Sequence, residues 1–212
     1  MSNAVQIEPF QIDQTIRLPE ELRLDPATGV LDGATARYEK RLDELAELYY
    51  DTAAYEQAVA QSPGEVSYVV YEHRPSGAAG DLVTGTSTLF PGRIGDEFRM
   101  TRGHLHEVAE RPETYFCLSG HGVMLTERFG ETRTVELRPG VIAYVAGHWI
   151  HRSVNVGDSP LVTLFSYPAD AGQDYSPIAR QGGMASLIFA GAEAGWRLTP
   201  NPRYAHPKEE DR

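Results

Sequence analysis

The stretch "MTRGHLHEVAERPETYF", residues 100–116, decides how this chain is read. His104 and His106 stand two positions apart, and Glu113 follows seven positions after the second histidine. Read as a strand over 98–106, the segment turns both imidazoles to one face, because alternate strand residues share a side. Glu113 and Tyr115 share a face of the next strand by the same rule. Two neighbouring strands can then aim His, His and Glu at one point. Incidental surface histidines are the competing reading.

A fourth group comes from "RPGVIAYVAGHWIHRSVNVGD", residues 138–158, where His148 and His151 compete. His148 lies between strand candidates, whereas His151 opens the next strand. Three imidazoles and a carboxylate form a mixed nitrogen and oxygen set suited to a divalent first-row ion, with iron, manganese, nickel, cobalt and zinc all open. His121 reads as a solvated turn residue, and His73 and His206 as loop or tail residues. Cys117 reads as a small buried hydrophobe.

The surrounding texture is β. Strand candidates fall at 65–73, 82–90, 98–106, 114–120, 123–129, 132–137, 141–146, 153–157 and 161–168, many separated by turn signals such as "PGRIGD", "SGHG" and "RPG". Short strands at close spacing predict an all-β sandwich or barrel rather than βαβ units. Before them, 34–60 places Tyr38, Leu42, Leu45, Leu48 and Tyr49 at helical spacing, predicting one or two helices that stop at Ser62-Pro63-Gly64. The expected organisation is an N-terminal extension over 1–64, a β-barrel over 65–200 and a polar, frayed tail over 201–212.

Composition narrows the function classes. The chain has 212 residues, one cysteine and a formal net charge of −11. A single cysteine excludes an internal disulfide framework and a CxxC zinc site. The acidic balance argues against a nucleic-acid partner, while a small anionic substrate stays compatible because a local field can oppose the global one. Residues 1–14 lack the basic start and apolar run of a secretory leader, and no stretch approaches a bilayer span. A soluble, cytoplasmic protein is expected. No GxSxG and no phosphate-binding P-loop is present.

The residues resemble the cupins, small β-barrels that hold a metal. Their first motif, His-x-His, a gap, Glu, six residues and Gly, is met by His104, His106, Glu113 and Gly120. Their second motif runs from Gly140 to Asn155 and puts His151 on its histidine position, with Ala146 and His148 replacing a proline and a glycine. The six-residue gap before Glu113, together with "YPADAG" and the Asp174-Tyr175 pair, is similar to the cupin-type glucose-6-phosphate isomerases over roughly 65–180.

That resemblance implies a single jelly-roll barrel with a helical extension, assembled as a homodimer. It implies an aldose–ketose isomerase of glycolysis and gluconeogenesis, acting on D-glucose 6-phosphate and D-fructose 6-phosphate. His104, His106, Glu113 and His151 would bind one divalent ion per subunit, Fe2+ before Mn2+, Zn2+, Ni2+ or Co2+. Glu113 would also shuttle the proton, or serve mainly as a ligand if hydride shifts instead. Ser87, Thr88, Thr101 and Gly103 fall where the family holds the phosphate. In an ideal strand Thr101 and Gly103 face away from His104 and His106, so a bend near Gly103 is required. Arg102 and Arg152 are candidate helpers, read first as solvated charges. Tyr68, Tyr115, Tyr167 and Tyr175 fall on the sugar pocket, and Gln173 stands where relatives carry a histidine. Glutamine can bond a sugar hydroxyl but carries no proton. Mannose-6-phosphate isomerase, an iron dioxygenase and a non-catalytic sugar-binding cupin are the alternatives.

Overall fold

The computed structural model describes residues 18–191 and 195–207. Two short strands, β1 (Arg23–Leu24) and β2 (Leu31–Asp32), pair with each other and precede β3 (Ala36–Arg41). Two 3-10 turns, Leu42–Glu44 and Ala46–Leu48, lead into α1 (Thr52–Gln61), whose first turn is capped by Asp51 Oδ1 accepting the Ala54 amide at 2.9 Å. The β region follows as β4 (Val66–His73), β5 (Leu82–Leu89), β6 (Arg93–Ile94), β7 (Glu97–Phe98), β8 (Glu113–Ser119), β9 (Gly122–Arg128), β10 (Glu131–Leu137), β11 (Ile142–Val145), β12 (Ile150–Asn155) and β13 (Leu161–Pro168). A short helix, α2 (Ser176–Arg180), precedes β14 (Ser186–Ala190) and β15 (Trp196–Pro200).

A six-stranded antiparallel sheet runs β11-β8-β13-β5-β4-β3, and a three-stranded sheet runs β10-β9-β12. Val83, Leu89, Leu161 and Phe165 from the first sheet meet Val123, Met124 and Val154 from the second in one buried core. The all-β class is as expected, with the barrel open: no backbone ladder joins the edges of these two sheets. A third sheet, β15-β14-β7-β6, adds β14 and β15 beyond the expected strands and turns part of the "PGRIGD" turn into β6.

The segment 97–106 departs from a plain strand. It pairs with β14 at Glu97, then meets β12 only at the Met100–Val154 and His104–His151 bridges. Gly103, at φ 73°, makes the bend between them. One stretch of chain therefore serves two sheets, and its far end is held by the histidine pair and by a bridge from Leu105 to Asp174.

The helix expected across 34–60 begins only at Thr52. Ala36–Arg41 instead pairs along β4 as the edge of the large sheet. A ready partner overrides the local helix propensity, and the charged residues of "ARYEKR" suit an edge exposed to water. Leu42, Leu45 and Tyr49 are buried in the main core, so this N-terminal segment packs against the β body. The described part of the tail, 201–207, is docked rather than frayed. Asn201 donates to the carbonyls of Gly182 and Met184, and Arg203 to those of Tyr49 and Tyr50. The reading of 1–14 and the last five residues fall outside the described residues. None of the described helices is long and apolar enough to cross a membrane.

Candidate active site

His104 and His151 are directly opposed across an antiparallel bridge and exchange both backbone hydrogen bonds, at 3.1 and 3.0 Å. That exchange fixes their rings 4.5 Å apart, centre to centre. Glu113 opens β8 in the large sheet, and His106 follows the bridge. The ligating atoms of His104, His106, Glu113 and His151 all lie within 4.8 Å of one another. His106 Nε2 is 3.2 Å and His151 Nε2 3.0 Å from the same oxygen, Glu113 Oε2.

The far side of two rings is held by backbone. His106 Nδ1 donates to the Arg111 carbonyl at 2.7 Å, and His151 Nδ1 to the Trp149 carbonyl at 3.1 Å. With Nδ1 held by a carbonyl, Nε2 is the nitrogen turned inward to Glu113, and the one that would give up its proton to bind an ion. Arg111 is itself clamped by Asp170, Nε to Oδ1 at 3.0 Å and Nη2 to Oδ2 at 2.6 Å. The long gap between His106 and Glu113 thus forms a loop, and the "YPADAG" segment anchors it.

The electrostatics fit a cation. Burial pushes the Glu113 carboxyl up, but hydrogen bonds from His106 and His151 outweigh it and hold it down at about 2. Burial, reinforced by the neighbouring His151, lowers His104 to about 3, so its ring is neutral at physiological pH. His104 Nε2 is fully buried and finds no hydrogen-bond partner among the described residues. A neutral, orphaned imidazole nitrogen beside an ionised carboxylate is the donor set a divalent ion takes.

A cavity opens beside this cluster. It is lined by Tyr68, Ser87, Thr101, Gly103, Tyr115, Tyr167, Gln173 and Tyr175, so eight of the nine substrate positions expected from sequence come together. Thr88 does not join them. Its hydroxyl donates to the Thr28 carbonyl at 2.9 Å on the other face of β5, because neighbours in a strand point to opposite sides. The bend at Gly103 brings Thr101 and Gly103 to the cavity wall. A Cβ at 103 would come within 2.9 Å of Arg152 Cβ.

Five further residues line the cavity without having been expected there: Tyr38, Val70, Glu72, Ser153 and Phe165. Parity could have found Glu72, since Tyr68, Val70 and Glu72 share one face of β4. Its carboxylate accepts from the Tyr167 hydroxyl at 3.3 Å. Tyr38 was hidden by the helical reading of its segment. Arg152, expected as a solvated charge, is buried at 4% exposure. Arg102 is exposed and stacks over Tyr175 at 4.6 Å. His148 lies outside the cluster, in a left-handed turn at φ 69°. His121 pairs with Glu136, His73 contacts the Gly33 carbonyl, and His206 packs edge-on against Tyr204. Cys117 is buried, and burial raises its thiol to about 11.

An all-β body that gathers three imidazoles and one carboxylate beside a hydroxyl-lined cavity is a cupin-class protein with a candidate metal centre. The family model described as Glucose-6-phosphate isomerase (GPI) matches residues 39–204, and the chain belongs to that family. It is 50% identical to "Putative glucose-6-phosphate isomerase 2" of Rhizobium meliloti (strain 1021) over 80% of this chain and 86% of that one. It is 36% identical to "Glucose-6-phosphate isomerase" of Pyrococcus furiosus (strain ATCC 43587 / DSM 3638 / JCM 8422 / Vc1) over 88% of this chain and 97% of that one. Among solved structures, oxalate oxidase in complex with the substrate analogue glycolate overlaps 55% of this chain and 58% of its own. The TM-score there is 0.44 at 14% identity.

Proposed function

We propose that the protein is a metal-dependent aldose–ketose isomerase that interconverts D-glucose 6-phosphate and D-fructose 6-phosphate. The observation that carries this reading is the convergence of four ligating atoms within 4.8 Å on the wall of a cavity rich in hydroxyl groups, in a chain of this family. His104, His106, Glu113 and His151 would hold one divalent ion, with Fe2+ the first choice and Mn2+, Zn2+, Ni2+ and Co2+ the others of this donor class. When bound, the ion supplies positive charge beside the sugar oxygens that become anionic as hydrogen moves between C1 and C2.

The chain's own groups supply the rest. Glu113 is buried yet held ionised, so it can accept a proton from one sugar carbon and return it to the next. In the rival hydride route the same carboxylate only orients and ligates. Tyr115 faces Glu113, and burial followed by that negative neighbour keeps its phenol protonated, a fixed donor rather than a base. Ser87, Thr101 and the Gly103 backbone would hold the phosphate. Tyr68, Tyr167 and Tyr175 would hold the sugar and exclude water. Gln173 accepts from the Tyr175 hydroxyl at 2.5 Å, which leaves its amide donors for a sugar hydroxyl.

A homodimer and a cytoplasmic setting complete the proposal, with a sugar phosphate as the partner and no nucleic acid or membrane involved. Ile142 and Tyr144 on edge strand β11 are more than 60% exposed, an apolar pair that a second subunit would cover. The test is elemental analysis of the purified protein alongside a coupled fructose 6-phosphate assay. Stoichiometric divalent metal with turnover is expected. Full turnover after exhaustive chelation, with no metal detected, would end the reading.

A further inference from the structure

We propose that a second cavity, next to the sugar site, is an oxyanion subsite for a phosphoryl group. The cavity measures about 280 Å³ and shares Arg102, Gly103, Arg152 and Tyr175 with the sugar cavity. Beyond that shared wall it is bounded by Arg203, Asn201 and the Gly182-Gly183 backbone.

Its charge is the first observation. Arg102, Arg152 and Arg203 all line it, and none forms an ion pair with a carboxylate among the described residues. In a chain of net charge −11, three unpaired guanidinium groups around one hollow need a reason. The only acidic residue on the lining is Glu47, which is exposed.

The second observation is how the three are held. Arg152 is buried, and its Nη1 and Nη2 donate to the Met100 sulfur at 2.9 Å and the Arg102 carbonyl at 3.0 Å. Its Nε is buried without a partner. Glu97 and Glu127 face it through space without touching it. Arg203 is fixed by the Tyr50 carbonyl at 2.6 Å and stacks over the Tyr50 ring at 4.7 Å. Arg102 is stacked on Tyr175. Glu97 also faces Arg203 through space, and carbonyl bonds and stacking orient these groups without a direct carboxylate partner, the arrangement that favours a planar donor set for phosphate. A buried cation is costly until an anion offsets it.

The shared wall puts this subsite beside the sugar cavity. A free phosphate ion or the second phosphoryl of a hexose bisphosphate would both satisfy the chemistry. The test is isothermal titration of the metal-loaded protein with inorganic phosphate and, separately, with a hexose monophosphate and a hexose bisphosphate. Because the readout is binding, its outcome is independent of isomerase activity.

Arg203→Met is expected to weaken phosphate about tenfold, the effect of losing one charge-assisted donor. Ala179→Trp, at an exposed position on the cavity rim, is expected to weaken it without removing any donor. Ser87→Ala should weaken the phosphate held in the sugar cavity and leave the equivalent bound at this subsite unchanged. A bisphosphate advantage over the monophosphate that disappears in Arg203→Met assigns the bridging ligand, and equal binding assigns the free ion. No saturable phosphate binding at millimolar concentration, or a single bound equivalent that Ser87→Ala weakens and Arg203→Met does not, overturns the proposal.

Discussion

His104 Nε2 and Glu113 Oε2 lie 3.9 Å apart, too far for a hydrogen bond and close enough to share one ion. The other two imidazoles bond that oxygen directly, so His104 is the member of the cluster whose ring nitrogen has no hydrogen-bond partner among the described residues. His104→Ala should therefore reduce bound metal by more than the 10–100-fold typical of outer contacts. The thermal transition of the metal-free protein should stay close to wild type. Metal titration followed by calorimetry checks both, and unchanged metal affinity would remove His104 from the centre.

Asp170 never approaches the ion cluster, yet it holds Arg111, whose carbonyl orients His106. Asp170→Ala is expected to lower metal affinity about 10-fold while the purified protein keeps its fold. A competitive chelator titration reads this. Wild-type affinity in that variant would show that the loop holds its carbonyl without the clamp.

Removing the metal should also cost stability. A ligand present at 100 times its dissociation constant contributes ~2.7 kcal/mol, which for a chain of this size corresponds to roughly 5–10 °C. Differential scanning calorimetry with and without chelator should show a shift of that order, reversed by added metal ion. Superimposable traces would indicate that the four groups hold no ion.

Glu113→Gln is expected to lower turnover by about 10²–10⁴-fold, the usual range for losing a general base. Running the wild-type reaction in heavy water separates the routes. Deuterium entering the product at C1 or C2 supports the carboxylate shuttle, and its exclusion supports a hydride shift.

Glu97 makes a prediction about pH. It is fully buried, with one oxygen accepting from the Tyr50 amide and the other unpaired. Burial raises its carboxyl from 4.5 to about 7 against the smaller opposing effect of the Tyr50 bond. The folded state therefore binds this proton more tightly than the unfolded chain does. Its stabilising contribution is complete below about pH 4.5 and is lost as the pH rises through about 7. Glu97→Gln should flatten that decline, by up to about 3 kcal/mol. Denaturant titrations at pH 5 and 8 test it, and parallel wild-type and variant profiles would refute it.

Much of this site was legible because its side chains obey a two-residue alternation. Glu113 with Tyr115, and Tyr68 with Glu72, follow from strand parity alone. Parity also explains Thr88, whose neighbour Ser87 takes the inward place. What the sequence hid was long-range pairing. Nothing local in "ARYEKR" states that β4 waits beside it, and its apolar spacing fits the helical template as well. The burial of Arg152 was equally invisible, since a single charge next to a ligand reads as surface until the packing around Met100 is seen.

Tyr38 reaches the sugar cavity from the outermost ribbon of the large sheet, while all four candidate ligands come from its interior and the seam with its neighbour. That part of the cavity wall is thus carried by a strand that holds none of the candidate ligands. Exchanging the border ribbon between relatives offers a way to retune which hexose is admitted while the reaction itself is left alone.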